Sequence, residues 1–329
     1  MTSASFRTEF PVLTPDFRLD VGSRVIAMGS CFAETISNRL RNNKLHTVIN
    51  PFGTIFQPLT LFNLLNKALT DDQPDERLFV QRDERWFSYE AHSSVWGRTR
   101  EELSATFSQK LAQLRAELAQ ADVLLLTLGS AWAYRLSEPP AYVANNHKQP
   151  ARLFVRDLLS VKEVCKAFAS VKKELSIFNS QLSIVLTVSP VRHARDGMPD
   201  NAVSKSVLRA ACHYLTTDFP DVYYFPAYEL LLDDLRDYRF YGPDLIHPNE
   251  IAEQYIFEKF ASACFSPELR AFVQEWEPIR RALAHRPFDE TSAAHRVFLE
   301  KLKTQLESLA SQVDVREELS EVEARLKKI

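Results

Sequence analysis

Glycine is scarce in this sequence. Seven glycines occur among 329 residues, whereas average usage of roughly 7% predicts about 23. Few glycines are therefore present as filler, and those that remain deserve individual inspection. Gly29, Gly53 and Gly129 follow apolar, strand-like runs, where a residue without a Cβ allows a tight turn or the close approach of a ligand.

Paired cysteines, a strong charge of one sign and long apolar runs are also lacking. The four cysteines, Cys31, Cys165, Cys212 and Cys264, show no CxxC spacing, which argues against a zinc knuckle or a disulfide framework. The formal net charge of −3 indicates neither a nucleic-acid partner nor an anionic membrane. No apolar stretch approaches the roughly 20 residues that a membrane-spanning helix needs.

Common cofactor motifs are missing as well. The sequence has no Gly-rich phosphate loop and no HExxH motif, so we predict neither a metal nor another cofactor. Its first residues show no basic segment followed by an apolar run, and we therefore expect a cytoplasmic protein without a signal peptide. The expected partner is a small molecule.

Short apolar runs alternate with longer helical patterns over most of the chain. This β-α-β-α order, with nearly continuous apolar strands, predicts a parallel sheet covered by helices on both faces. Ligands of such sheets bind beyond the carboxyl ends of the strands. The predicted strands are 24–28, 46–49, 121–128, 183–188 and 222–225, and the predicted helices are 32–42, 59–69, 100–120, 161–178 and 202–217.

Two segments depart from this order. Residues 82–96 lie between predicted helices and predict an inserted hairpin or lid. From residue 266 onward, leucines recur at spacings of three and four, which predicts an amphipathic helix or a helical hairpin. This leucine stripe packs either against the chain's own domain or against a second copy in a homo-oligomer. We therefore divide the chain into a domain, 1–265, and a helical C-terminal extension, 266–329.

The first candidate site is Gly29-Ser30-Cys31, where a predicted strand ends and a helix begins. Backbone N–H groups at a helix start are unpaired, and the helix dipole favours negative charge there. We expect both effects to lower the pKa of the Cys31 thiol and to stabilise an oxyanion. Ser30 is the alternative nucleophile if a histidine takes its proton. The structural alternative is a helix-capping Ser30 beside a buried Cys31.

The second candidate site is the segment from Asp244 to His247. Pro248 suits the first position of a helix, which predicts a loop just before it. The three-residue spacing lets the Asp244 carboxylate reach Nδ1 of His247, so that Nε2 can accept a proton from a nucleophile. The structural alternative is a turn aspartate next to a helix-capping histidine.

These segments resemble the conserved blocks of SGNH (GDSL-type) hydrolases. RVIAMGSCFAE is similar to the first block, and DLIHPNEIAEQYIFEKF resembles the last, Asp-x-x-His-Pro followed by a helix. More narrowly, GSCFA, NPFGTIFQP, SPVRHARDG and DLRDYRFYGPDLIHP resemble the bacterial GSCFA family over residues 10–265. The resemblance implies an α/β, flavodoxin-like three-layer fold with a five-stranded parallel sheet.

The resemblance also implies roles for individual residues. Asp244 and His247 match the acid and the base, and Gly53 matches a glycine whose N–H helps to form the oxyanion hole. Gly29-Ser30-Cys31 overlays Gly-Asp-Ser, so Cys31 falls on the nucleophile, and its own N–H is the expected second donor of the hole. Ser30 remains the alternative nucleophile.

One position departs from the family pattern. The third block carries an asparagine in the oxyanion hole, and here that position is Ala131. Loss of one donor can lower the rate by roughly 100–1,000-fold. Asn50, beside Gly53, is the expected replacement, and the other candidates are Asn145, Asn146 and Asn201.

Further polar side chains are expected to bind substrate. Ser189, Arg192 and His193 follow the fourth predicted strand and project toward the same sheet edge, where an arginine fork suits planar anions. His147 and Asn146, in an Asn-rich loop, and Lys205, at a helix start, are expected to add to this surface. The alternative is that they are solvated loop charges.

Taken together, these features predict an esterase or acyl hydrolase that forms a covalent acyl-enzyme with a small-molecule or carbohydrate ester. An acyltransferase using the same site is one alternative. A weakly active or non-catalytic binding module is the other, and the alanine at position 131 favours it.

Overall fold

Strands and helices alternate along the chain in the predicted order. The computed structural model describes residues 7–329, except for the side chain of Asp196. In these residues the strands are β1 (Arg24–Gly29), β2 (His46–Ile49), β3 (Phe79–Arg82), β4 (Arg85–Ser88), β5 (Trp96–Gly97), β6 (Val123–Leu128), β7 (Trp132–Leu136), β8 (Ala141–Val143), β9 (Phe154–Leu158), β10 (Ser183–Val188) and β11 (Val222–Tyr224).

Helices lie in all four connections between the central strands and form the C-terminal region. Short 3-10 helices lie at Glu76–Leu78, Ala151–Leu153, Ala194–Asp196 and Tyr238–Phe240, and a π-helix lies at Leu230–Leu235. The α-helices are α1 (Cys31–Asn42), α2 (Pro58–Thr70), α3 (Arg100–Leu118), α4 (Val161–Phe178), α5 (Met198–Asp218), α6 (Ala227–Glu229), α7 (Glu250–Cys264), α8 (Pro267–Ala284), α9 (Ala293–Leu309) and α10 (Arg316–Leu326).

The central sheet has five parallel strands in the order β2-β1-β6-β10-β11. This is the flavodoxin-like order, so the predicted fold class and the five predicted strands are confirmed. The chain runs from β1 outward to β2 and then crosses back to β6. The strand order thus switches between β1 and β6, which makes their carboxyl ends the expected place for a ligand.

Two apolar cores lie on opposite faces of this sheet. One contains α2, α3, α4 and α5, and the other contains α1, α7 and the C-terminal helices. Every residue of β6 is buried, because both faces of this central strand are covered. The near-continuous apolar runs in the sequence follow from this double coverage.

Two small antiparallel sheets are inserted into the α/β order. The hairpin predicted for residues 82–96 is present as the sheet β3-β4-β5. The second sheet, β8-β7-β9, follows β6 directly and was not predicted. Its strands have three to five residues, which is too short for a clear alternation of polar and apolar positions.

The C-terminal leucine stripe packs inside the chain. The predicted helical hairpin is formed by α9 and α10, and Leu299, Leu302, Leu306 and Leu309 are at most 1% exposed. They belong to the same core as α1 and β1. The apolar stripe is therefore used inside the chain and is not available to hold two copies of it together. Within residues 7–329, no helix is both long and apolar enough to cross a membrane.

We expect Leu302→Ala to lower the free energy of unfolding by about 2–5 kcal/mol, because it empties a fully buried site. Val297→Ala is the matched control on the same helix, since Val297 is 65% exposed, and its effect should stay within about 0.5 kcal/mol. Urea denaturation measures both variants. Equal and small effects would contradict the packing of α9 against the domain.

Candidate active site

The first site forms where β1 ends and α1 begins. Gly29 lies against β6 so closely that an added Cβ would be 2.1 Å from the Thr127 carbonyl oxygen. The fully buried Ser30 caps α1, and its Oγ accepts a hydrogen bond from the Phe32 N–H at 3.3 Å. Cys31, by contrast, is partly exposed. Of the two candidate nucleophiles, Cys31 is therefore the one that solvent can reach.

The expected lowering of the Cys31 pKa is wrong. Burial raises the pKa of this thiol, and the Glu34 carboxylate raises it further. The charge of Lys205 and the N–H groups of Phe32 and Cys31 act in the opposite direction, but burial of the thiol outweighs them. The thiol is consequently protonated at neutral pH, and it needs a base to become a nucleophile.

Asp244 and His247 form the pair that their spacing predicts. Nδ1 of His247 lies 2.7 Å from Oδ2 of Asp244, and Oδ1 accepts the backbone N–H groups of Ile246 and His247 at 3.0 and 3.1 Å. The hydrogen bond from the His247 ring, followed by these two N–H groups, lowers the pKa of Asp244 to about 2. Nε2 of His247 has no hydrogen-bond partner within residues 7–329, so it is open to a nucleophile or a substrate.

The helix after this pair begins later than predicted. Asn249 is the N-cap of α7 and accepts the N–H of Ala252, so Pro248 precedes the helix and does not occupy its first position. Asn249, and not Pro248, sets the start of the helix, because its side chain accepts a hydrogen bond from an N–H group that would otherwise be unpaired. Pro248 instead forms an isolated bridge with Tyr241, which closes the loop that carries His247.

Arg192 contacts the loop that carries His247. Its guanidinium lies 4.1 Å from the centroid of the Tyr241 ring, a distance typical of cation–π contacts. The guanidinium also donates to the Leu245 carbonyl at 3.2 Å, and the Arg192 backbone N–H donates to the Ile246 carbonyl at 3.3 Å. Arg192, predicted as a substrate ligand, thus has a structural part in holding this loop.

His193 lies between the segment that contains Phe56 and the loop that carries His247. Its ring meets the Phe56 ring edge-on, with 4.9 Å between centroids, and its buried Nε2 has no partner among the described residues. Burial lowers the pKa of His193 to about 4, and the charges of Lys205 and His247 act in the same direction. The Ile55 N–H, next to Phe56, donates to the Gly29 carbonyl at 2.8 Å, and Arg192, which precedes His193, bonds to the loop of His247. His193 therefore lies between the end of β1 and the loop of His247.

The predicted oxyanion donors Gly53 and Asn50 are engaged elsewhere. The Gly53 N–H donates to the Asn50 carbonyl at 2.7 Å, which closes a turn in which Gly53 has a φ of 75°. The Asn50 side chain accepts from the Gly29 N–H at 2.9 Å and donates to Glu34 at 3.0 Å. Asn50 thus holds the turn against the end of β1, and the Gly53 N–H is used within its own turn.

Two neighbouring backbone amides have no acceptor among the described residues. They are the N–H groups of Cys31, as predicted, and Thr54, which directly follows the turn. Thr54 is near Cys31, because its Oγ1 donates at 3.1 Å to Glu34, a residue that lies one helical turn after Cys31. These amides replace Gly53 as the backbone donors available at this edge.

The third-block segment is held by two consecutive residues of α5. The N–H of the buried Ala131 donates to Ser204 Oγ at 2.7 Å. Nζ of Lys205 donates to the carbonyl oxygens of Gly129 and Ser189, both at 2.7 Å. Lys205, predicted as a substrate-binding residue at a helix start, is 1% exposed, so the alternative of a solvated charge is also wrong. The helix begins earlier, at Met198, which places Lys205 two turns inside it.

The remaining predicted substrate ligands are buried or lie in the insertions. Ser189 is fully buried, and its Oγ accepts the N–H of Val191. His147 is buried against Phe87, with 5.0 Å between ring centroids, and Nε2 lies 2.8 Å from the Ser88 carbonyl.

The exposed Asn146 accepts the N–H of Lys148. Of the other two candidates, Asn145 accepts the N–H of His147 and Asn201 accepts the N–H of His193. The loop of residues 144–150 packs on the first insertion, because β7 and β8 turn it away from the sheet edge. Within residues 7–329, no cluster of three or more His, Cys, Asp or Glu side chains could hold a metal ion.

Glu34, Thr54, Phe56 and Ser204 were not predicted as parts of the site, and the environment of Lys205 was predicted wrongly. A signal for Lys205 was present. It shares a helical face with Leu208, Cys212 and Leu215, all of which are buried. A lysine in register with an apolar stripe indicates a buried cation.

We expect iodoacetamide to alkylate Cys31 at a rate that still rises above pH 9, the ordinary value of a thiol pKa, because burial raises the pKa at this position. Mass spectrometry identifies the adduct, which Cys31→Ala should lack. The fully buried Cys212 and Cys264 should remain unmodified in the folded protein. A rate that already levels off below pH 8 would contradict the raised pKa.

Comparisons with known proteins identify the family. The GSCFA family matches residues 24–260, and the GSCFA domain protein C-terminal domain matches residues 276–328. No curated protein matches the chain.

Three similar solved structures share little sequence with it. A protein described as a platelet activating factor from Streptococcus pneumonia is 10% identical over 73% of this chain and 83% of its own, with a TM-score of 0.37. A carbohydrate esterase family 3 protein from Talaromyces cellulolyticus is 8% identical over 77% and 99%, with a TM-score of 0.34. A carbohydrate esterase family 2 enzyme with a carbohydrate binding domain from Corynascus thermopiles (Myceliophthora fergusii) is 12% identical over 81% and 69%, with a TM-score of 0.35. Similarity at these TM-scores supports no functional conclusion. The family match, in contrast, spans most of the sequence, and the chain belongs to the GSCFA family.

Proposed function

We propose that the protein is an acyl hydrolase that cleaves an ester through a thioester on Cys31. The observation that carries this proposal is the His247–Asp244 pair, with 2.7 Å between Nδ1 and Oδ2. Nε2 of His247 has no hydrogen-bond partner within residues 7–329, and the contacts of Arg192 with the His247 loop and of His193 with Phe56 support a position near Cys31. A protonated thiol beside an oriented imidazole is the minimum requirement for covalent acyl transfer.

In the first half-reaction the Cys31 sulfur attacks the ester carbonyl carbon, and the thiol proton moves to Nε2 of His247. A C–S bond forms, and the electron pair of the carbonyl π bond moves to oxygen. When the carbonyl reforms, the C–O bond to the alcohol breaks, and His247 returns its proton to the departing alkoxide. The products of this half are the alcohol and the acyl-thioester. Asp244 orients the ring and stabilises the imidazolium.

In the second half-reaction water takes the place of the alcohol. His247 accepts a proton from the water as its oxygen bonds to the thioester carbon, and the C–S bond then breaks. The sulfur regains a proton from His247, and the carboxylic acid is released. Throughout, the free N–H groups of Cys31 and Thr54 are suited to bind the developing oxyanion.

We propose a small-molecule or carbohydrate ester as the substrate. Phe56, Tyr238 and Leu245 are 37%, 65% and 49% exposed. Phe56 contacts His193. The Tyr238 ring contacts the Arg192 guanidinium, and the Leu245 carbonyl accepts a hydrogen bond from it. Apolar faces beside a few convergent polar groups are typical of small-molecule sites, and flat rings suit the apolar face of a sugar.

Acyl transfer to a second alcohol is the other candidate function. It uses the same thioester, and the partial burial of Cys31 favours it because limited access of water prolongs the life of the intermediate. Added alcohols or sugars distinguish the two. If the protein is a hydrolase, an added alcohol or sugar should leave the release of free acid unchanged. If it is an acyltransferase, a new ester should form and less free acid should be released.

We expect Cys31→Ala and His247→Ala each to lower kcat for p-nitrophenyl acetate by at least about 100-fold, as expected for loss of a nucleophile or a general base. Ser30→Ala should keep most of the activity but destabilise the protein by about 1 kcal/mol, because only a helix cap is lost. His213→Ala, an exposed position on α5, is the matched histidine control and should behave like the wild type. If the wild type and these four variants hydrolyse the ester at the same rate, neither Cys31 nor His247 is catalytic. A non-catalytic binding module would then be the remaining function.

A further inference from the structure

We propose that the Lys205 ammonium is the charged donor of the oxyanion hole, in the place that Ala131 leaves without a side-chain donor. This inference rests on the function proposed above and assigns one more catalytic residue to the same reaction. Lys205 comes from the interior of α5, far in sequence from both catalytic loops.

The position of Nζ follows from its two hydrogen bonds. It lies 2.7 Å from the carbonyl oxygens of both Gly129 and Ser189, the residues that directly follow β6 and β10. Thr127 pairs with Gly29 on one side and with Thr187 on the other, so the three strands end at nearly the same level. Because neighbouring strands are about 4.8 Å apart, the ammonium, which bridges the ends of β6 and β10, lies roughly one and a half strand spacings from the end of β1, where α1 starts.

The third proton of the ammonium is available. A lysine ammonium has three N–H donors, and Lys205 gives two of them to the carbonyl oxygens. Within residues 7–329, no acceptor takes the third, and no carboxylate pairs with the charge. Burial of a cation without a counter-ion is unfavourable. Such a group is suited to bind negative charge that appears only during the reaction.

The charged and titratable groups around Lys205 agree with this role. The charge of Lys205 acts on the pKa of Cys31 in α1 and on that of His193 in the segment after β10. Lys205 also borders a cleft of about 370 Å³ that is lined by Arg209 and Tyr228, and Arg209 is already paired with Glu229 at 2.6 Å. None of these groups supplies a resting negative charge to Lys205.

The resting site holds a thiol, not a thiolate–ammonium pair. Burial lowers the pKa of Lys205 to about 7, although the Cys31 group raises it, while burial raises the pKa of Cys31. The sulfur therefore holds its proton more tightly than the amine does. The ammonium gains its anionic partner only when the carbonyl oxygen of the substrate becomes negative, and an interaction made only at that stage raises kcat.

We expect Lys205→Met to lower kcat for p-nitrophenyl acetate by about 100–1,000-fold, the usual effect of losing one oxyanion donor, with KM changed less than about threefold. Lys205→Arg keeps a cation and should retain more of kcat than Lys205→Met does. Lys172→Met is the matched control, because Lys172 is also buried but pairs with Asp221 at the opposite edge of the sheet. A folded Lys205→Met protein with kcat within threefold of the wild type would overturn the proposal.

The pH profile of the wild type tests the proposal without any variant at Lys205. Loss of the Lys205 proton removes the charged donor, so kcat/KM should fall as the pH rises through about 7, the pKa of the free protein. The rate of Cys31→Ala is subtracted to remove background hydrolysis. A kcat/KM that stays constant from pH 7 to 9 would also overturn the proposal.

Alkylation separates failure of this proposal from failure of the proposed function. If the wild type cleaves no ester, the esterase function fails, and the pH dependence of iodoacetamide labelling then decides the role of Lys205. Below pH 7, where Lys205 is charged, iodoacetamide should label Cys31 more slowly in Lys205→Met than in the wild type, because the positive charge that stabilises the thiolate is removed, whereas Lys172→Met should label like the wild type. Equal labelling rates below pH 7 in Lys205→Met and the wild type would show that the ammonium does not stabilise negative charge at this position.

Discussion

Gly29 packs against the Thr127 carbonyl so tightly that no side chain fits between β1 and β6. The rest of the candidate site depends on this contact. It lets the Ser30 N–H donate to the same carbonyl at 3.0 Å, which starts α1 directly at the strand end. Cys31 is thereby held beside the ends of β6 and β10, where Lys205 binds the two carbonyl oxygens. A larger residue at position 29 would move the thiol away from every group it is proposed to use.

Burial outweighs the helix dipole in setting the charge state of this site. The start of α1 provides N–H groups that favour a thiolate, but the thiol is largely removed from water and lies near Glu34. Desolvation favours the neutral form of the thiol, of His193 and of Lys205 alike. The resting site therefore holds a neutral thiol, and no carboxylate of the described residues pairs with Lys205. A base and a cation are useful in such a site because charge develops only as the substrate reacts.

Positioning residues make up much of the site. Asn50, Arg192 and Ser204 were predicted as ligands or overlooked, yet each holds a loop that carries a reactive group. Asn50 fixes the turn next to β1, Arg192 fixes the loop of His247, and Ser204 fixes the segment after β6. Loops at a sheet edge have few backbone partners of their own, so side chains must supply the hydrogen bonds that order them.

Local and periodic features were determined by the sequence alone. The five central strands, the helices between them and the C-terminal hairpin follow from apolar periodicity, which reflects burial on one or two faces. The pairing of Asp244 with His247 follows from a three-residue turn, and the cap at Ser30 follows from its place before a helix. Each of these depends only on residues that are near one another in the chain.

The tertiary structure decided what lies between distant segments. The use of the Gly53 N–H within its own turn, the burial of His147 in an insertion and the short second sheet were not visible in the residue pattern. Whether a thiol pKa rises or falls depends on how much water packing removes, which no local motif specifies. Lys205 reached the strand ends only because α5 packs on β10 and β11, so that its side chain extends to the carbonyl groups after β6 and β10. The role of a side chain in this site thus depends on the partners that folding brings to it. Some of those partners lie a hundred or more residues away in the sequence.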